Sequence, residues 1–176
     1  MEQTITPVST KGIVIALLLI IFSLATYFLD VDSNSPVKYV GFIIFLSGIV
    51  WSVASYGKQI NYNSTFGNYF AHGFKVSALV TSILVIFLIV FVIAFPDFKE
   101  KALEQTRKAM VEKNKDLSEE QINKFLEMSR KFFMVGLVGV SLVFYLIVGV
   151  IGSLVGAAVT KKQPNEFAGD INSIGA

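Results

Sequence analysis

The sequence predicts an all-α integral membrane protein, with four transmembrane helices and a soluble helical hairpin inserted between the third and fourth. Three observations predict it. Hydrophobic residues make up 53% of the chain and charged residues 16%, where soluble domains carry about a quarter charged. The apolar residues gather in four continuous runs, 12–29, 37–56, 74–95 and 132–159, each near or above the roughly 20 helical residues that cross a hydrocarbon core of about 30 Å. Between the third and fourth runs lies a charge-rich stretch with helical periodicity and a helix-start signal. The runs do not alternate with period two, which excludes a barrel.

The first run follows Lys11, and with Ser23-Leu24-Ala25 it resembles a secretory signal ending in a small-residue cleavage site. The leader has one lysine offset by Glu2, and the apolar run continues through Tyr27, Phe28 and Leu29. An uncleaved anchor is therefore expected. The second run carries Lys38 near its start, where a long stem reaches the headgroups, and Gly41, Gly48 and Ser55 at sevenfold spacing. Such small residues let helix backbones approach closely in lipid, where packing replaces the hydrophobic effect.

Between runs two and three, NYNSTFGNYFAHGFK mixes amides with Tyr62, Phe66, Tyr69, Phe70 and Phe74, a composition suited to the headgroup boundary. It reads as an interfacial segment. Asn63-Ser64-Thr65 matches a glycosylation sequon, but on a loop expected in the cytoplasm it stays unmodified. His72 is the only histidine and the chain has no cysteine, so a typical metal site has no second ligand of either kind. His72 reads as interfacial or hydrogen-bonded to backbone.

The third run holds Lys75 at its start and meets Pro96, which lacks a backbone donor and biases Phe95 away from helix. A helix is expected to end there and a new one to open with Asp97 in its first turn. From 97 to about 113, Phe98, Ala102, Leu103, Ala109 and Met110 form one apolar face. Asp97 with Lys101 and Glu104 with Lys108 pair acid-first at four-residue spacing. Asn114-Lys115-Asp116 makes the turn. Ser118 with Gln121 then forms a capping box, with Leu117 and Ile122 as its hydrophobic staple. Ile122, Phe125, Leu126 and Ser129 line the inner face, while Glu120 with Lys124 and Glu127 with Lys131 pair outside. Nothing breaks this helix before the fourth run, so one rod of roughly 60 Å is expected from 118 to about 160. That run carries Gly149, Ser153 and Ala157 at fourfold spacing beside Gly152 and Gly156. These complete the set expected to pack helix on helix. A polar tail, 163–176, follows the membrane domain 1–162.

Four spans put both termini and the 57–73 connection on one side. That side holds Lys11, Lys58, Lys75, Lys161 and Lys162, whereas the short loop 30–36 has two aspartates and no lysine. The positive-inside rule then places the termini in the cytoplasm and the hairpin outside. The nine Lys or Arg of 96–131 oppose this orientation, but that stretch also holds eight acidic residues.

The net charge of +2, with acids and bases interspersed, argues against nucleic-acid binding. No charge lies at mid-membrane, where ion and proton pathways usually place one; Ser77, Thr81, Ser82 and Ser141 are neutral groups that would line a path in an oligomer. The spans contain no paired aspartates and no Gly-x-Ser-Gly nucleophile. The expected role is a non-enzymatic scaffold or accessory subunit without cofactor, whose partners are the lipid bilayer and a second copy or another membrane protein. The alternative is a small transporter or channel component. The hairpin's apolar stripe, Phe98, Met110, Ile122 and Phe125, is the candidate docking face, set against a plain solvated spacer that consumes its own stripe.

TFGNYFAHGFKVSAL, FPDFKEKALEQTRKAM, LSEEQINKFLEMSRKFF and the double lysine 161–162 together resemble the bacterial membrane family catalogued as domain of unknown function 4199, over about 9–162. The resemblance implies four spans with a helical insert in a bacterial inner membrane. It implies no activity and no catalytic residues.

Overall fold

The computed structural model describes residues 5–31, 35–113 and 118–160. Among them the chain forms six helices and no strand: α1 (Val8–Phe28), α2 (Lys38–Gln59), α3 (Phe66–Ala94), α4 (Pro96–Lys113), α5 (Glu119–Lys131) and α6 (Phe133–Val159). Four helices are long and apolar enough to cross a membrane: α1, α2 from Tyr39, α3 and α6. The expected turn at 114–116, the staple residue Leu117, the double lysine and the tail lie outside the described residues.

The chain divides into two compact units, one made of 1–80 with 147–176 and the other of 81–146, so α3 and α6 contribute to both. In the first unit α2 is the shared element. Gly48 faces Ile15 of α1, where an added Cβ would lie 3.1 Å from two side-chain carbons, and Gly41 faces the Phe22 ring at 3.4 Å. Ser55, next in that register, is half-buried. On its other side α2 meets α6: a Cβ at Gly152 would lie 3.2 Å from Ile49 Cβ, and one at Gly156 2.9 Å from Val53 Cβ. A Cβ at Gly149 would collide with the Ser77 hydroxyl of α3. Ser153 and Ala157 are buried on the same face. The small-residue spacing did not reveal one approach to backbone: a Cβ on Gly73 of α3 would lie 3.1 Å from Ser153 Cα of α6. These glycines therefore join helices of one chain.

The third candidate span begins at Phe66, eight residues before the expected 74. The Thr65 hydroxyl accepts the Asn68 N–H at 3.3 Å, satisfying one of the N–H groups that a helix start leaves unpaired. The aromatic segment read as interfacial is thus a helical extension that turns Tyr69, His72 and Gly73 into the unit. The chain returns from α2 through Asn61 and Tyr62, both in the left-handed region at φ 50° and 58°. That conformation costs a non-glycine residue about 1–2 kcal/mol. The Tyr62 N–H, bonded to the Gly57 carbonyl at 2.7 Å, helps hold it.

In the second unit α3 ends at Ala94 and α4 opens on Pro96, whose missing N–H costs nothing at a first helical position. Phe98 packs back across this break, its ring 5.4 Å from Phe91 and 6.5 Å from Phe133. The proline interrupts the helix without releasing α4 from α3. Helices α4 and α5 run side by side in opposite directions, with Leu103 and Ile122 buried and Arg107–Glu119 and Arg130–Glu100 bridging them at 3.3 and 2.7 Å. The expected capping box at Ser118 is present in both directions, and Glu104 with Lys108 form a 3.8 Å pair. The unbroken rod is not found. Phe132 separates α5 from α6 with φ −102° and ψ 14°, yet Phe132 N–H still reaches Met128 and Gly136 N–H still reaches Phe132. The junction is a one-residue interruption: the helical ladder closes on Phe132 from α5 and resumes from its carbonyl in α6.

Candidate functional site

The densest polar cluster of the first unit lies where the start of α1 meets α2 and α3. Side chains on a helix lean toward its N-terminus, so Lys11, in the first turn of α1, points its stem back toward the helix start. There it is 2% exposed. Its Nζ donates to the Ser52 carbonyl at 3.2 Å and to Gln59 Oε1 at 3.4 Å. Gln59 also accepts the Thr6 N–H at 3.1 Å and donates Nε2–H to the Thr6 hydroxyl at 2.8 Å. The amide thus ties the chain before α1 to the end of α2.

Ser52, Tyr56 and Gln59 stand four and three residues apart, so they share one face of α2. Lys11 Nζ sits 5.9 Å from the Tyr56 ring centroid. Tyr56 stacks on His72 of α3 with centroids 4.2 Å apart and planes within 3°. The His72 Nε2 in turn lies 3.3 Å from the Ser52 hydroxyl. Three helices are therefore joined by one continuous set of polar and ring contacts. Beside it Tyr69 is fully buried with Val53 and Ala157, and its hydroxyl has no hydrogen-bond partner among the described residues, a cost of about 1–3 kcal/mol.

The cluster brings together a serine and a histidine, but Ser52 is 0% exposed and no carboxylate joins the pair among its described contacts. The described residues also contain no group of three His, Cys, Asp or Glu placed to hold a metal ion. What the arrangement does is fasten: Lys11 of α1 and His72 of α3 each meet polar groups of α2. In the sequence alone His72 has no evident side-chain partner and Lys11 stands as a leader charge. The missed signal was the polar 52–56–59 face on an otherwise apolar helix.

The four residues of the candidate docking face are not presented together. Ile122 is 3% exposed, Phe98 belongs to the aromatic contacts with Phe91 and Phe133, and Met110 is half-buried. Phe125 is 47% exposed, as are Met128 at 57% and Phe132 at 53%. The wide side of α4 is polar, with shallow clefts lined by Glu104, Arg107, Lys108 and Glu112 and by Glu100, Leu103 and Arg130.

A family model described as Protein of unknown function (DUF4199) matches residues 10–162. No curated protein and no solved structure matches the chain.

Proposed function

We propose a non-enzymatic membrane role for this chain, which belongs to the DUF4199 family of proteins of unknown function: it acts as a scaffold or accessory subunit, with the membrane helices as anchor and the α4 side of the α4–α5 pair as a water-facing docking element. One observation carries the reading. The clustered polar side chains of the first unit are taken up by contacts between helices, Lys11 with the Ser52 carbonyl and Gln59 and the His72 ring with the Ser52 hydroxyl, whereas Glu104 and Lys108 of α4 face outward. Lys108 and Glu104 are 70% and 56% exposed. The distribution of lysines supports cytoplasmic termini with the α4–α5 pair outside, and a bacterial inner membrane is proposed from the family resemblance alone.

The test is crosslinking in native membranes, comparing the wild type with a charge-swapped α4 (Glu104→Lys with Lys108→Glu), which keeps the local pair but inverts its pattern. A partner captured by the wild type and lost on the swap supports the reading. A captured set that the swap leaves unchanged rejects α4 as the docking element.

A second reading, a small transporter or channel component, draws support from Lys11 and His72, 2% and 8% exposed within helices long enough to cross a membrane. Ionisable groups there usually mark a pathway. Solute flux in liposomes that is lost in Lys11→Met or His72→Gln would favour it over the scaffold.

A further inference from the structure

A single residue, Phe132, separates α5 from α6. Phe125, Met128, Phe132, Val135, Gly139, Leu142 and Leu146 follow one another at spacings of three and four, and all seven are exposed. On α6 this stripe belongs to a helix apolar enough to cross a membrane. On α5, an otherwise charged helix, it is carried by Phe125 and Met128. It is separate from the Ile122 side, which is buried. Lys124 and Lys131 are exposed along one edge, and Lys131 Nζ stands 5.6 Å from the Phe132 centroid.

The length of α6 sets the depth. Its 27 residues extend about 40 Å, roughly 10 Å more than the hydrocarbon core. Part of that excess, together with the end of α5 that joins it, falls in the headgroup layer. Amphipathic faces with aromatic, Met or Leu side chains edged by lysine settle there, apolar groups at the acyl boundary and ammonium groups at the phosphates.

We propose that the Phe125–Met128–Phe132 face of α5 is a lipid contact, seated in the headgroup layer with Lys124 and Lys131 on anionic phospholipid. A second copy of the chain is the competing occupant, since a three-four stripe also suits a helix pair. Charge decides between them. A parallel pair would bring Lys124 and Lys131 beside Ser129 and Gly136 of the other copy, with no acid to meet them, whereas anionic headgroups supply the counter-charge. The proposal is independent of the partner reading above, which uses the α4 side.

The test uses the full chain in bilayers of phosphatidylcholine with or without phosphatidylglycerol. Trp51, the single tryptophan, is replaced by phenylalanine, and Met128→Trp, Phe132→Trp or, as an aqueous control, Glu112→Trp is introduced. Lipid brominated high on the acyl chain should quench positions 128 and 132 but not 112. Phosphatidylglycerol should deepen that quenching and shield both positions from iodide. Lys124→Gln and Lys131→Gln should remove the preference for anionic lipid, worth about fivefold per lysine. Free iodide access at 128 and 132 in both bilayers would overturn the proposal. So would shielding without bromolipid quenching that disappears as protein is diluted in lipid, which would assign the face to a second copy. Quenching indifferent to phosphatidylglycerol and to both lysine substitutions would overturn the anionic-headgroup contact.

Discussion

Alanine at Gly73 and alanine at Gly136 should change stability in opposite directions. In a helix, replacing glycine by alanine gains about 1 kcal/mol of backbone propensity. At Gly136 an added Cβ meets nothing within 4 Å, so that gain should survive almost whole. At Gly73 the same atom would lie 2.7 Å from Val53 Cγ2, 2.9 Å from Ser153 Oγ and 3.1 Å from Ser153 Cα. Val53 and Ser153 are both 0% exposed, and a Cα cannot rotate away as a side chain can. Overpacking of this kind costs about 1–3 kcal/mol, which cancels the propensity gain and leaves a net loss of up to about 2 kcal/mol, a factor of roughly 30 in the folded ratio. Gly149→Ala should also destabilise, because rotating the Ser77 hydroxyl away leaves Ser77 Cβ, which cannot rotate, 2.8 Å from the added atom. Denaturation in mixed micelles, followed by helicity, measures all three. Equal stabilisation by Gly73→Ala and Gly136→Ala would refute the close approach of α3 and α6.

Other perturbations separate the remaining contacts. Gln59→Leu removes one of the two Lys11 acceptors and both Thr6 bonds, and should cost about 1–3 kcal/mol; a double-mutant cycle with Lys11→Met should show the two losses to be non-additive. Phe98→Ala empties the space between Phe91 and Phe133 and should cost about 2 kcal/mol, less than a fully buried ring, with faster amide exchange in α4. The Arg130–Glu100 pair is 2.7 Å long but 59% and 56% exposed, so a double-mutant cycle should give a coupling of no more than about 1 kcal/mol that fades at high salt.

The extent of legibility follows from range. The four apolar runs are long local signals, and all four correspond to helices that could cross a membrane. The Ser118 capping box is equally local, and its two hydrogen bonds are in place. Small residues on the second and fourth runs announced close packing, but spacing cannot name the neighbour; the partners of Gly48, Gly149 and Gly156 are Ile15, Ser77 and Val53 of the same chain. The polar cluster was illegible for the same reason. Lys11 and Gln59, or Ser52 and His72, are far apart in sequence, and their bonds appear only when three helices meet. The early start of α3 was obscured by composition: tyrosine, histidine and asparagine suit a membrane interface, and Thr65 as a cap lacks the Glu or Gln that marks a capping box. The break at Phe132 carries no proline or glycine, the usual signatures of helix interruption.

The proposed topology has the chain cross the membrane four times, with α4 and α5 exposed on the side opposite the α2–α3 connection. A background with no cysteine allows this to be read directly, with single cysteines in place of Ser35, Asn63 and Glu112 and a membrane-impermeant thiol reagent applied to intact cells. Positions 35 and 112 should label together, with 63 protected until the membrane is opened. Labelling of 35 and 63 from the same side, or of 35 and 112 from opposite sides, would contradict the four-span arrangement.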